Sequence, residues 1–183
     1  MFPAPKLESP RLWLRPPTLD DARDAFETYA CDPEVARYLL WAPHTEIAET
    51  VDFLALAVTA WELGEDHRPW VITRKEDGRF IGMIGATVVR HTVEVGYVIG
   101  RAYWGQGYAP EALIAVCDAA FADPDLHRVS AVCDAKNSAS MRVLDKAGMH
   151  YEGLLRSYHV MPNLGPEPRD CCLFSLVRSD LAL

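Results

Sequence analysis

A carboxylate and a glycine-rich turn ten residues apart carry the first chemical signal in this chain of 183 residues. Glu94 belongs to the alternating run Glu94-Val95-Gly96-Tyr97-Val98-Ile99, and Trp104-Gly105-Gln106-Gly107-Tyr108-Ala109-Pro110 follows closely. The alternation reads as a strand, and a proline behind the glycines reads as a helix start. Such a strand–turn–helix passage aims free backbone N–H groups at one spot, where the helix N-terminus adds roughly half a positive charge. That spot is a cradle for a phosphate or pyrophosphate. With Glu94 as a base nearby, the pattern points to chemistry on a phosphate-bearing cofactor.

The turn is not a P-loop, because Gly-Lys-Ser/Thr is missing. It begins like a dinucleotide fingerprint, but Pro110 stands where the third glycine belongs. The acid expected about 20 positions on falls near His127, and its closest substitutes, Asp123 and Asp125, lie in a turn. The segment also follows a hairpin rather than a first parallel strand, which disfavours a nicotinamide or flavin role.

Several elements must position this turn. Arg11–Arg15 alternates as a first strand, ended by Pro16 and Pro17. Thr18 offers an N-cap hydroxyl to a helix reaching Tyr29, with Asp20 and Asp21 in its first turn. Asp32-Pro33-Glu34 opens a short helical piece through Leu40. From Thr45 to Glu62, Ile47, Val51, Leu54, Val58 and Trp61 recur on one helical face. Trp70–Thr73 and Phe80–Val89 form a hairpin around the turn Lys75–Gly78, and Arg90-His91-Thr92 turns into the strand of Glu94. Gly82, Gly85 and Gly96 interrupt these strands and mark bulges or close backbone approach. Leu113, Val116, Ala120 and Phe121 line the next helix. Val129–Cys133 is a strand, and a helix over Ser138–Ala147 ends at Gly148 as a left-handed cap. Tyr151–His159 is extended, Met161–Arg169 is a proline-rich excursion, and Cys171–Arg178 is the last strand. The order β-α-α-β-β-β-α-β-α-β-β makes one mixed α/β domain over residues 1–183.

Half the residues are apolar, enough for a sizeable core, and no apolar run is long enough to span a membrane. The N-terminus lacks the pattern of a signal peptide, and five cysteines without one read as free thiols in a reducing cytoplasm. No Cys-x-x-Cys or His-x-x-x-His pair occurs, so no metal is expected. The net charge of -8 is concentrated: residues 18–66 hold twelve acids and two bases. These acids are either solvated helix faces or a wall that attracts a cationic partner. The same imbalance disfavours nucleic acid as a direct ligand.

Asn137-Ser138-Ala139-Ser140-Met141-Arg142-Val143-Leu144-Asp145-Lys146-Ala147-Gly148-Met149 adds a second block. With it the chain resembles the GNAT acyltransferase superfamily, and within it the RimJ/RimL-like branch of ribosomal-protein N-acetyltransferases. Matching pieces are Leu7–Arg15, Glu94–Tyr97, Tyr103–Ala109, Leu126–Val129, the Asn137 block and Arg169-Asp170, in the right order and spacing. The branch often has Trp where the superfamily signature has Gln or Arg, as Trp104 does here.

The resemblance implies a mixed, mostly antiparallel sheet splayed after Ile99 into a V-shaped acyl-CoA cleft and flanked by about four helices. Acetyl-CoA is then the acyl donor. Its pantetheine pairs with backbone at Val98 and Ile99, its pyrophosphate sits on amides of Trp104, Gly105, Gln106, Gly107, Tyr108 and Ala109, and Asn137 and Ser140 touch it as well. A neutral amine attacks the thioester, a backbone amide near Ile99 receives the oxyanion, and the leaving thiolate needs a proton donor. Many GNAT enzymes use a tyrosine seven positions after the asparagine, where this chain has Leu144. Ser140 matches the serine used in the RimJ/RimL-like branch. Its plainer reading is a helix hydroxyl bonded to local backbone or only to CoA. Glu94 is the expected base, acting through water. Otherwise it is an exposed strand carboxylate or a partner of Arg90. Asn137 is equally an N-cap. Tyr158, His159 and Asp170 are weaker candidates at the acceptor end.

The expected activity is acetyl transfer to a primary amine in a ternary complex, without a covalent enzyme intermediate. An α-amine with a pKa near 8 is roughly a tenth neutral at pH 7, against about 0.1% or less for lysine. This leans toward a peptide N-terminus, including that of a ribosomal protein. A small cationic amine or drug is the alternative acceptor, and a non-catalytic acyl-CoA sensor the alternative function. Monomer and homodimer are both open.

Overall fold

The computed structural model describes residues 2–181. Eight strands build one mixed sheet in the order β1-β2-β3-β4-β5-β6-β8-β7. They are β1 (Leu7–Glu8), β2 (Leu12–Arg15), β3 (His67–Arg74), β4 (Phe80–Val89), β5 (Thr92–Ile99), β6 (Arg128–Asp134), β7 (His150–Val160) and β8 (Pro168–Val177). The helices are α1 (Ala22–Ala25), α2 (Pro33–Ala36), α3 (Ile47–Leu63), α4 (Tyr108–Phe121) and α5 (Ser138–Lys146). The short helical piece expected from Asp32 through Leu40 is the single turn α2, started by Pro33 and by the Asp32 side chain bonded to the Glu34 N–H and ending at Ala36.

Each face of the sheet carries its own core. On one, Val93, Val95 and Ile99 pack with Leu113, Val116 and Ala120 of α4 and Leu144 of α5. On the other, Val71, Phe80 and Met83 pack with Ala25, Tyr29 and Leu54. Fully buried side chains such as Trp70, Ile72, Ile84 and Leu113 each contribute roughly 1.5–3 kcal/mol.

Four local expectations change. Leu7 and Glu8 pair with Leu14 and Trp13, adding an edge strand too short to show periodicity. On α3 the buried residues are Thr50, Leu54, Ala57 and Ala60, while Ile47 is 42% exposed. The small residues let the helix lie close to the sheet, which rotates the buried stripe away from the bulkier side chains. Thr18 is the N-cap as expected, in a reciprocal capping box: its side chain serves the Asp21 backbone N–H, while the Asp21 carboxylate accepts from the Thr18 N–H at 2.7 Å and pairs with Arg15. The helix after it changes winding, from a 3-10 turn over Leu19–Asp21 through α1 to a π turn over Phe26–Ala30. That π turn rests on Gly100, where a Cβ would stand 2.3 Å from Thr28 Cγ2 and 2.8 Å from the Thr28 carbonyl oxygen. Finally, α4 opens at Tyr108, two residues before Pro110, which the first turn of a helix tolerates. Gly148 is left-handed at φ 80° as expected.

One irregularity in the sheet matters most. β5 and β6 run parallel and pair only at Thr92–Arg128, Val93–Val129 and Glu94–Ser130. Beyond those rungs β5 stays with β4 as far as Ile99, and β6 stays with β8 as far as Asp134. The sheet opens between them.

Candidate functional site

The opening forms a cleft of about 640 Å³, floored by Val95–Ile99 of β5 and Ala131–Cys133 of β6. Its walls come from the turn before α4, from α5, from residues 34–40, and from His159 and Met161. Gly100 N–H donates to the Ile81 carbonyl at 2.9 Å. The alternation of an antiparallel ladder then turns the backbone groups of Gly96 and Val98 toward β4 and those of Tyr97 and Ile99 toward the gap. Val98 therefore gives the cleft its side chain, and Tyr97 takes over the backbone position expected of it. The Ile99 carbonyl is occupied by the Trp104 indole N–H at 2.7 Å, which leaves the Ile99 N–H facing the gap.

The turn is built as its glycines suggest. Gly105 and Gly107 have φ 74° and 81°, a left-handed backbone that costs glycine little. Among the described residues nothing accepts from the N–H groups of Gly105, Gln106, Gly107, Tyr108 or Ala109. The Trp104 N–H is spent on the Arg101 carbonyl at 3.2 Å, so the cradle starts one residue later than expected. Gln106 contributes its amide only. Its side chain turns away from the cleft and donates to the Ala102 carbonyl at 2.9 Å.

Residues distant in sequence hold this turn. Arg11 donates to the Gln106 carbonyl at 3.1 Å, pairs with Glu111 at 2.6 Å and covers the Tyr108 ring at 4.5 Å. Glu111 also accepts from Ser9 Oγ at 2.6 Å. Burial pushes the Glu111 carboxyl up, but Ser9 and Arg11 outweigh it and hold the group below its ordinary range. Arg142 and Lys146 of α5 also line the cleft. Free amides, a helix N-terminus and two cations make this end a site for an anionic group.

Asn137 caps α5, its Oδ1 accepting from the Ser140 N–H at 3.1 Å, and it lines the cleft too. Ser140 faces the opening, with its Oγ 2.7 Å from the Tyr97 hydroxyl. Cys133 lines the same region, and burial pushes its thiol up to about 11. It is a poor nucleophile at neutral pH.

Glu94 stands apart. It is exposed, lies on the last β5–β6 rung, and does not line the cleft. Strand alternation puts it on the face of Gly96 and Val98, opposite Tyr97 and Ser140. At Gly96, which lines the cleft two residues on, nothing lies within 4 Å of a built Cβ, so the strand face beside Glu94 is open there.

The end of the cleft away from the turn carries Val35, Leu39, Leu40 and Met161, with Tyr38, Glu34 and Arg37 beside them. Of the twelve acids in residues 18–66, Glu34 alone lines the cleft. Others are used structurally: Asp21 on Arg15, Asp32 on Arg101, and Glu49 on the Thr45 N–H. Asn163 ties the segment after β7 to residues 34–40, donating to the Ala36 carbonyl at 2.6 Å and the Trp41 carbonyl at 2.8 Å. Asp170 is spent on the Ser157 N–H, and Tyr158 is 51% exposed beside His159. The sequence reading missed Tyr97, although β-alternation alone separates it from Glu94. It also missed the wall at 34–40, which depends on the Asn163 contacts. Among the described residues no cluster could hold a metal ion, and no helix is long and apolar enough to cross a membrane.

Comparison with known proteins agrees with this geometry. Residues 11–150 match the family model described as acetyltransferase (GNAT) domain. An uncharacterized N-acetyltransferase, p20 of Bacillus licheniformis, is 31% identical over 179 residues, covering 96% of this chain and 98% of p20. A GNAT-family acetyltransferase structure from Bacillus anthracis superposes with a TM-score of 0.84 at 26% identity, over 95% of this chain and 99% of that one. A structure of RimL, described as a ribosomal L7/L12 alpha-N-protein acetyltransferase in complex with coenzyme A, shares the fold. Its TM-score is 0.80 at 17% identity, over 92% and 95% of the two chains. The chain belongs to the GNAT acetyltransferases.

Proposed function

We propose that this protein moves the acetyl group of acetyl-CoA to the α-amine of a peptide, in the cytoplasm and by direct attack. The observation that carries the reading is the unzipped segment of β5 and β6. It leaves backbone groups of Tyr97 and Ile99 facing a gap that ends at five free turn amides. An extended pantetheine arm fits the gap as a strand would, and the amides, Arg142 and Lys146 fit its phosphates. The Ile99 N–H points where a thioester oxygen gains charge. Ser140 gives its proton to the departing sulfur, and Glu94 takes the amine's proton through water over Gly96. Acid and base thus serve the reaction from opposite faces of the sheet.

The acceptor end supports a peptide terminus. One carboxylate, Glu34, sits among apolar residues, which suits a single amine carried on an extended apolar chain more than a polycation. All five cysteines are free, consistent with a reducing compartment. The test is thiol release from acetyl-CoA with a panel of short peptides, lysine side-chain mimics and polyamines, with intact-mass detection of products. Acetylated peptide N-termini are expected. Release only with polyamines overturns the acceptor assignment. Silence across the panel while CoA still binds overturns the enzyme reading.

A further inference from the structure

Tyr97 is a polar side chain in the cleft that these roles leave unused. Its hydroxyl lies 2.7 Å from Ser140 Oγ and 3.3 Å from the Ser140 carbonyl oxygen. Burial pushes the phenol pKa above its ordinary value despite the hydrogen bond to Ser140, so Tyr97 keeps its proton at working pH. A phenol has one proton to donate, and two arrangements compete for it. If it went to the carbonyl, the Tyr97 oxygen would accept from Ser140 and the serine proton would point away from the gap. If it goes to Ser140 Oγ, the serine proton is free to face the cleft. The distances favour the second arrangement: 2.7 Å is optimal for O–H···O, whereas 3.3 Å lies beyond the usual range. An anionic sulfur in the gap favours it further, because it is the strongest acceptor available to the serine.

We propose that Tyr97 is a positioning residue for the proton-donating step, giving its hydrogen bond to Ser140 Oγ so that the serine proton points at the leaving sulfur. This role presupposes Ser140 as that donor. In the step, the acceptor nitrogen bonds to the acetyl carbon and the carbon–sulfur bond breaks with its electron pair going to sulfur. Sulfur takes the Ser140 proton, and the serine oxygen, held by the Tyr97 hydrogen bond, regains a proton from water. The surplus proton of the amine leaves by the water path to Glu94 and returns to solvent, where it neutralises the hydroxide left by that water. Tyr97 itself is never deprotonated, in keeping with its raised pKa.

The test compares Tyr97→Phe, Ser140→Ala and the double variant. Thiol release from acetyl-CoA is followed with the best peptide of the panel and with water alone as acceptor, beside thermal unfolding. Ser140→Ala should lower kcat about 100-fold, in the range of one proton-transfer group, and Tyr97→Phe about 10-fold. KM for acetyl-CoA should stay within about twofold, and the double variant should be no slower than Ser140→Ala, because groups acting through one another are not additive. Fully additive losses, or Tyr97→Phe at the unsubstituted kcat beside a depressed Ser140→Ala, would overturn the Tyr97 role alone. Ser140→Ala at the unsubstituted kcat would overturn the acid assignment, and the Tyr97 role with it. Tyr97→Leu removes the same hydroxyl and replaces Tyr97→Phe if that variant does not fold.

Discussion

Filling the space at Gly96 should separate the proposed base from the reaction. Glu94 and Gly96 point the same way on β5, about 6.6 Å apart along a strand rising roughly 3.3 Å per residue. That span needs one or two waters, and the open space above Gly96 is where they fit. A valine side chain would occupy it. Because nothing lies within 4 Å of a built Cβ at Gly96, and its φ is not positive, the fold should accept the substitution. The strand should gain up to about 1 kcal/mol from the β-branched residue. A positioned general base contributes about 10²- to 10⁴-fold. Gly96→Val should therefore lower kcat by about 100-fold, Glu94→Gln by a similar factor, and Gly96→Ala by less, with KM for acetyl-CoA unchanged and Tm not lowered. Steady-state thiol release with a saturating peptide acceptor measures this. If Glu94→Gln loses turnover while Gly96→Val keeps it, the proton does not travel over Gly96. If neither substitution matters, Glu94 is a surface carboxylate.

Arg11→Met should raise KM for acetyl-CoA about 5- to 30-fold with kcat nearly unchanged, the equivalent of roughly 1–2 kcal/mol for one hydrogen bond, one exposed ion pair and one cation–π contact. Equal loss in kcat would show that the turn is held without Arg11. Gly100→Ala forces a Cβ into Thr28, and an overpacking cost of about 1–3 kcal/mol should lower Tm by several degrees in calorimetry. Stability should also fall in acid. Arg128 and Ser175 hold Glu152 down to about 2. Burial pushes Asp134 up, but Arg169 and the Lys136 N–H outweigh it and hold the carboxyl below its ordinary range. Both native values lie beneath the unfolded ones near 4, so the unfolded chain binds more protons in that window. Tm should hold above about pH 5 as far as these groups act, and drop as pH falls through 4 toward 2. Asp134→Asn should make that drop shallower, and an unaltered slope would refute its share.

What sequence could and could not reveal follows from the range of the forces involved. Strands such as Phe80–Val89 and turns such as Lys75–Gly78 announce themselves because alternation and glycine chemistry act within a few residues. The same locality exposed the cradle at Gly105–Ala109 and the cap at Gly148. β1 escaped because two residues have no period, and the stripe of α3 was misplaced because close packing through Ala57 and Ala60 outweighed side-chain size. At the site, Ser140 was found through a motif, but its partner Tyr97 belongs to a strand 43 residues earlier. The backbone roles of Val98 and Tyr97 were exchanged because the parity of the β4–β5 ladder is fixed by Gly100 bonding to Ile81, not by side-chain pattern. The acid count of residues 18–66 could not tell which carboxylates face inward, since that is decided by partners such as Arg15 and Arg101.

The three rungs shared by β5 and β6 have a mechanical meaning as well. One half of the sheet, β1 to β5, meets the other, β6 to β8, along a seam that is sewn at one end only. A pantetheine arm in the gap would sew the other end, so the donor completes the architecture that acts on it. Ligand present at about 100 times its Kd adds roughly 2.7 kcal/mol to stability by mass action alone, and here that gain would come from closing the seam. Coenzyme A bound there would be a borrowed strand, and its departure would return the sheet to two halves for the next donor to rejoin.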